Sequence, residues 1–355
     1  MINRRAFLAA TSAGAAMLAA PSVLRASGAA LKVGTYGGYF QNSFDKFIYP
    51  EFTRETGIEI ESIGEPTGEA WLVQLGQAAR ANQAPADVSM MAQVARIKGE
   101  RAGLWAKLDE SKMKNLGVLP EHFVHHYEDG ALYGTGAVSW YVSLVTNTAT
   151  YPEAPTSWKA LWAPEQKDKL GLMSLASNSF LLEITATTFF GGTDVLKTDD
   201  GVLQVMAKLA ELKPNVRLWY RDEGQFQQAL ETGEIPMGEY YHDVTGLAAS
   251  QGKPVRSTFP EEGAVLDSGS WVVSKASKML DQAQVFIDYM AQPAVQAKLS
   301  RNVGTAPTVP RNLTDLTDAE FAAVSSDKAP ILPLSTLYVD KGDWVSQKWS
   351  ELITG

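Results

Sequence analysis

The feature that most constrains the fold is an alternation that begins near residue 31. Residues 31–35 are β-prone and alternate in polarity, and 40–56 place Phe40, Phe44, Phe47, Ile48 and Phe52 at near-helical spacing until Gly57 stops them. Residues 58–63 alternate again, and 69–81 put Trp71, Leu72, Leu75, Ala78 and Ala79 on one side of a helix. Residues 87–91 read as a short buried strand, followed by a helix to about residue 102. Parallel strands need long crossover connections, usually helical, so this order predicts a parallel α/β sheet.

A second α/β set follows: a strand near 171–173, helices over 180–190 and 201–212, a strand over 216–220, a helix over 223–231 and a strand over 235–239. Between the sets lies the long β-prone run 138–145. A further strand over 265–273 precedes an amphipathic helix over 278–290, and the chain ends in a Pro-rich stretch and a helix near 344–352. No low-complexity linker joins the sets. The chain is therefore expected to cross between two lobes on its own strands, near 136–140, 266–270 and 303–307. Open α/β sheets bind ligands beyond the carboxyl ends of their strands. That rule selects 36–40, 91–94, 174–179 and 240–243, with 267–271 on a crossing strand.

The N-terminus reads as an address. Arg4-Arg5-Ala6-Phe7-Leu8 leads into an apolar run over 8–20, then Pro21 and Ser27-Gly28-Ala29. This is the pattern of a Tat-type signal peptide over 1–29, and the run is well short of the roughly 20 apolar residues that span a bilayer. Removing Arg4, Arg5 and Arg25 takes the net charge from −9 to −12. So acidic a chain has no electrostatic case for nucleic acid or an anionic membrane surface. Cysteine is absent, which excludes disulfides, iron–sulfur clusters and Cys-ligated zinc. The expected location is periplasmic, reached through the Tat export machinery. An exported hydrolase or lyase is the alternative of another class. Against it, the chain carries no Gly-x-Ser-x-Gly, His-Glu-x-x-His or phosphate-loop pattern, and Gly134-Thr135-Gly136 is a lone fragment of a dinucleotide motif. No cofactor is expected.

Several segments resemble type II extracellular solute-binding proteins, the receptors of ABC importers. They are Leu31-Lys32-Val33-Gly34-Thr35-Tyr36, Phe52-Thr53-Arg54-Glu55-Thr56-Gly57-Ile58-Glu59-Ile60, Pro85-Ala86-Asp87-Val88, Pro155-Thr156-Ser157-Trp158, Leu230-Glu231-Thr232-Gly233-Glu234-Ile235-Pro236-Met237, Glu262-Gly263-Ala264-Val265 and Gly304-Thr305-Ala306-Pro307. The likeness covers nearly the whole chain after the signal and is nearest to the spermidine/putrescine-binding subgroup. It implies an α/β periplasmic-binding-protein type II fold, two lobes with a hinged ligand cleft, delivering a small solute to a membrane permease as a monomer. Lobe 1 would comprise 30–137 and 266–305, and lobe 2 would comprise 138–265 and 306–355.

By register the resemblance places Tyr36 and Tyr39 at aromatic ligand contacts, beside the flexible Gly37-Gly38 pair, and Tyr240 at a cleft aromatic. Asp267 is the carboxylate expected to face an amine. The subgroup's acid lies two places later, where this chain has Gly269, and its acidic loop reads here Ser174-Leu175-Ala176-Ser177-Asn178-Ser179. A polycation would lack counter-charges, and unpaired buried ammonium groups are costly. Ser177 and Asn178 suit a smaller nitrogen-containing solute, such as an amino-acid derivative or an opine-like zwitterion. Trp271 completes the candidate contacts from the crossing strand. Asp243 is either a further contact or a cap for the next helix. Tyr240-Tyr241 is also similar to the paired tyrosines of ferric-ion-binding relatives, an alternative in which phenolates hold iron. His122, His125 and His126 have helical, zinc-like spacing but no accompanying ligands, and read as a solvated helix end.

Overall fold

The computed structural model describes residues 28–66 and 68–355; all but the last two residues of the export-signal reading lie outside them. Ten strands form one sheet: β1 (Leu31–Tyr36), β2 (Ile60–Glu65), β3 (Val88–Ala92), β4 (Val124–His126), β5 (Leu132–Asn147), β6 (Leu170–Met173), β7 (Val216–Tyr220), β8 (Met237–Tyr241), β9 (Val255–Thr258) and β10 (Val265–Val273). The order is β2-β1-β3-β10-β5-β8-β6-β7, with β4 and β9 also on β5. The first three strands are mutually parallel about β1, and β6 is parallel to both β7 and β8, as the helical connections require.

The two sets are joined by strands. β5 pairs with β10 between Gly134 and Val142, then with β8 and β9 toward Asn147. β10 in turn pairs with β3 through Gly269–Val273. Each of these strands changes core along its length. Val138 and Trp271 belong to a cluster with Leu31, Phe44, Phe52 and Phe286, whereas Val142 and Val265 belong to one with Trp158, Leu172, Leu181 and Trp349. The third crossing is a single bridge: the Ala306 N–H donates to the Ser139 carbonyl at 2.7 Å.

Three local differences from the sequence expectations have plain causes. The helix expected over 40–56 is two, Tyr39–Phe47 and Tyr49–Thr56, because Pro50 lacks the N–H that a continuing helix needs; Gly57 closes the second at φ 72°. His122, His125 and His126 do not share a helix face. Residues 121–123 form a single 3₁₀ turn, and β4 then sends the buried His125 to the Ser270 hydroxyl at 2.8 Å and the exposed His126 toward Glu110 at 3.4 Å. β4 and β9 are too short to register as patterns and owe their form to pairing with β5.

Candidate functional site

The carboxyl ends of β1 and β3 meet the N-terminal half of β10, because β10 runs antiparallel to β3 with Gly269 opposite Ala92. Asp267 therefore lies just past the end of β3, and its partner across β5 is Trp140. Tyr36 ends β1, with its ring edge-on to Phe40 at 5.7 Å and to Trp140 at 6.5 Å. Its hydroxyl is buried without a hydrogen-bond partner. A Cβ at Gly269 would stand 3.2 Å from that hydroxyl, so the missing side chain at 269 leaves the space that the Tyr36 phenol fills.

From the other half come Tyr241, at the end of β8, and the buried Glu183 of helix Leu181–Phe190. The Tyr241 hydroxyl donates to Glu223 Oε1 at 3.1 Å. Burial, then the nearby charges of Glu223 and Asp267, hold its phenol well above the usual range, which places Tyr241 and Asp267 within electrostatic reach of each other. Glu183 accepts from the Leu334 N–H at 3.1 Å and from the Tyr338 hydroxyl at 3.0 Å. Val94, in the first turn of the helix Gln93–Arg101 that follows β3, packs against the second core, so the two halves touch here.

Asp267 is the most perturbed acid among these. Burial pushes its carboxyl from 3.8 up to about 7; the Ser268 N–H at 2.8 Å and Trp140 resist this, and the Glu183 charge reinforces it. Asp243 is raised to about 6, chiefly by burial, and its Oδ1 has no partner. It lies in the first turn of helix His242–Ser250, where a negative charge complements the helix dipole, but Tyr241 rather than Asp243 caps that helix.

The other expected contacts divide. Tyr39 is exposed at the rim, and its hydroxyl donates to the Val303 carbonyl at 3.3 Å. Ser177 and Asn178 stand just past the carboxyl end of β6 and bond to each other, Oγ to Oδ1 at 2.7 Å. Tyr240 is packed away: it is 3% exposed, edge-on to Phe226 at 5.5 Å, with its hydroxyl on the Glu223 carbonyl. The Asp267 charge acts on the neighbouring Tyr241. Trp271 is fully buried, 5.1 Å from the Phe286 ring and 6.0 Å from that of Phe44. It pairs with Met90 in the middle of β3, below the strand end where Asp267 emerges. Paired phenolate ligation gains nothing from this geometry. Both hydroxyls are engaged with Glu223, burial raises both phenols, and no group of three or more His, Asp or Glu among the described residues is placed to hold a metal.

Trp140, Glu183 and Glu223 were not foreseen as parts of the site. Trp140 is set by the β5–β10 register, which the sequence does not display. Glu183 did leave a sign, as a lone acid inside the apolar run Phe180-Leu181-Leu182-Glu183-Ile184.

A raised carboxyl thus stands among aromatic rings where two α/β halves meet. Relatives agree with that reading of the architecture. The chain is 27% identical over 260 residues to spermidine/putrescine-binding periplasmic protein 1 of Haemophilus influenzae, covering 72% of this chain and 70% of that one. It is 24% identical over 345 residues to the gamma-aminobutyric acid-binding protein of Pseudomonas aeruginosa, covering 94% and 93%. The crystal structure of an ABC transporter substrate-binding protein from Bradyrhizobium japonicum superposes with a TM-score of 0.77 at 22% identity, over 92% of this chain and all of that one, and so shares the two-lobed fold. Residues 48–324 match the bacterial extracellular solute-binding protein family, and the chain belongs to that family of periplasmic, substrate-binding components of ABC importers.

Proposed function

We propose that the protein captures a small organic solute carrying a protonated amine, by closing its two lobes over Asp267, and hands it to the permease of an ABC importer. Polyamine-like amines, amino-acid derivatives and opine-like zwitterions are the candidate class. The observation that carries this reading is Asp267 itself, half-buried beside Tyr36 and Trp140, with the Glu183 charge rather than a cation acting on it. An ammonium group there would restore the ionised carboxylate and gain about 0.5–2 kcal/mol from each aromatic face. Of the other acids, Glu223 is engaged by Tyr241 and Glu183 by Leu334 and Tyr338, whereas Asp243 keeps an Oδ1 without a partner. The nearly full-length likeness to a gamma-aminobutyric acid-binding protein points the same way.

The contact set is Tyr36, Trp140, Tyr241 and Asp267, with Ser177, Asn178 and Asp243 as further contacts and Tyr39 at the rim. The lobes divide as 30–137 with 266–305 and 138–265 with 306–355, a division supported by the change of core along β5 and β10. Residues 1–29 direct export by the Tat machinery, and the mature protein acts as a monomer without catalysis.

Thermal shift tests the solute class. A ligand at 100 times its Kd stabilises by about 2.7 kcal/mol. Gamma-aminobutyrate, putrescine and spermidine are compared with butyrate, which keeps the carboxylate and lacks the amine. A shift with an aminated member and none with butyrate is expected; equal shifts with and without the amine would sink the proposal.

Gly269→Ala provides a second check. Its methyl would crowd the Tyr36 hydroxyl and also meet Met90 Cγ at 3.1 Å. Overpacking of this kind costs about 1–3 kcal/mol. Calorimetry is expected to show several-fold weaker solute binding, with the fold retained.

A further inference from the structure

The two faces of β10 look into different spaces. Asp267 faces the solute site, whereas Leu266 and Ser268, one residue to either side, line a separate cavity of about 250 Å³. One wall comes from helix Gln93–Arg101, the other from residues 332–336. No acidic residue lines it among the described residues.

Arg96 dominates its chemistry. The side chain is buried, with one terminal nitrogen on the Tyr133 hydroxyl and the other donating to Gln93 Oε1 at 3.0 Å. Its Nε is buried with no partner. Among the described residues no carboxylate is hydrogen-bonded to the guanidinium: Tyr133 donates its hydroxyl to Glu100 at 2.8 Å, and the Glu100 charge acts on Arg96 from behind that tyrosine. Gln93 in turn donates Nε2 to the Ser268 Oγ at 2.8 Å, which leaves the Ser268 O–H free to donate. The cavity thus holds a buried cation without a direct counter-ion and a row of donors, with Thr336 at the mouth. An enclosed charge of this kind is costly until paired.

We propose that this cavity is an anion site, taking a small carboxylate or an inorganic anion against Arg96 and Ser268, on the opposite side of β10 from the solute. Because its walls come from Gln93–Arg101 and from 332–336, a bound anion ties these two segments together.

The test titrates acetate, inorganic phosphate and chloride separately into the intact protein, by calorimetry, with Arg96→Gln and Thr336→Glu alongside. Saturable binding of at least one anion to the unaltered protein is expected, weakened about tenfold or more in both variants by loss of a charge-assisted contact or by repulsion. Binding of acetate alone identifies a carboxylate site; binding of phosphate or chloride identifies an inorganic one. Thr336 is exposed on helix Ser335–Asp340, so its replacement leaves the fold intact and decides the matter even where Arg96→Gln fails to fold. Absence of saturable binding for all three anions, or unchanged affinity in Thr336→Glu, overturns the proposal.

Discussion

Asp267→Asn is expected to abolish amine binding and, at the same time, to make the empty protein more stable above neutral pH. The carboxyl titrates near 3.8 in the unfolded chain and near 7 in the folded one. Between those values the folded state holds a proton that the unfolded state has released. The stability contributed by this group is therefore greatest below about pH 4, declines as pH rises, and is fully lost above about pH 7. Each unit of difference is about 1.4 kcal/mol, so the burden at pH 8 is about 2–4 kcal/mol, and asparagine does not carry it. Urea unfolding should show the variant more stable at about pH 8, with the gap closing toward about pH 4. An equal gap at both values would mean that Asp267 is not held neutral in the empty cleft.

Binding reverses the sign. An ammonium ion pairs with the ionised carboxylate, so below pH 7 the unaltered protein must release a proton to bind, and its Kd should weaken by up to about tenfold per pH unit. Removing one partner of a buried pair costs about 3–5 kcal/mol, a hundredfold or more in affinity. Calorimetry in buffers of different ionisation enthalpy reads the released proton directly.

Trp271→Ala has the largest expected effect on stability. The ring is fully buried between Phe44 and Phe286, and replacing such an aromatic by alanine costs about 3–5 kcal/mol. Trp271→Phe is expected to cost less, about 1–2 kcal/mol, since it also removes an indole N–H that is buried without a partner. Solute affinity should be unchanged in Trp271→Phe. A tenfold loss of affinity in a stably folded Trp271→Phe would place the ring at the solute after all.

The α/β order was legible because hydrophobic period and glycine stops act locally. β7 and β10 fall where their sequence patterns predict them. The site was legible only in part. The carboxyl-end rule led to Tyr36 and Asp267, both of which the topology brings to one place. It does not resolve single-residue parity: Tyr240 and Tyr241 are adjacent, and only the register of β8 against β5 decides which is packed under Phe226 and which feels the Asp267 charge. Trp271 is buried for a related reason. It shares a face of β10 with Asp267, yet lies level with the middle of β3, a depth set by strand pairing 180 residues away in the chain. Family register identified the loss of an acid at Gly269 but not that a phenol from another strand occupies the space.

β5 runs for 16 residues through both cores without interruption. A chain whose halves are joined by a loop can be cut into two folding units; this one has no seam. Severing β5 would strip pairing from β10, β8, β9 and β4 together, leaving open sheet edges on both fragments. With both cores strung on β5, the halves are expected to unfold in a single transition, which calorimetry would read.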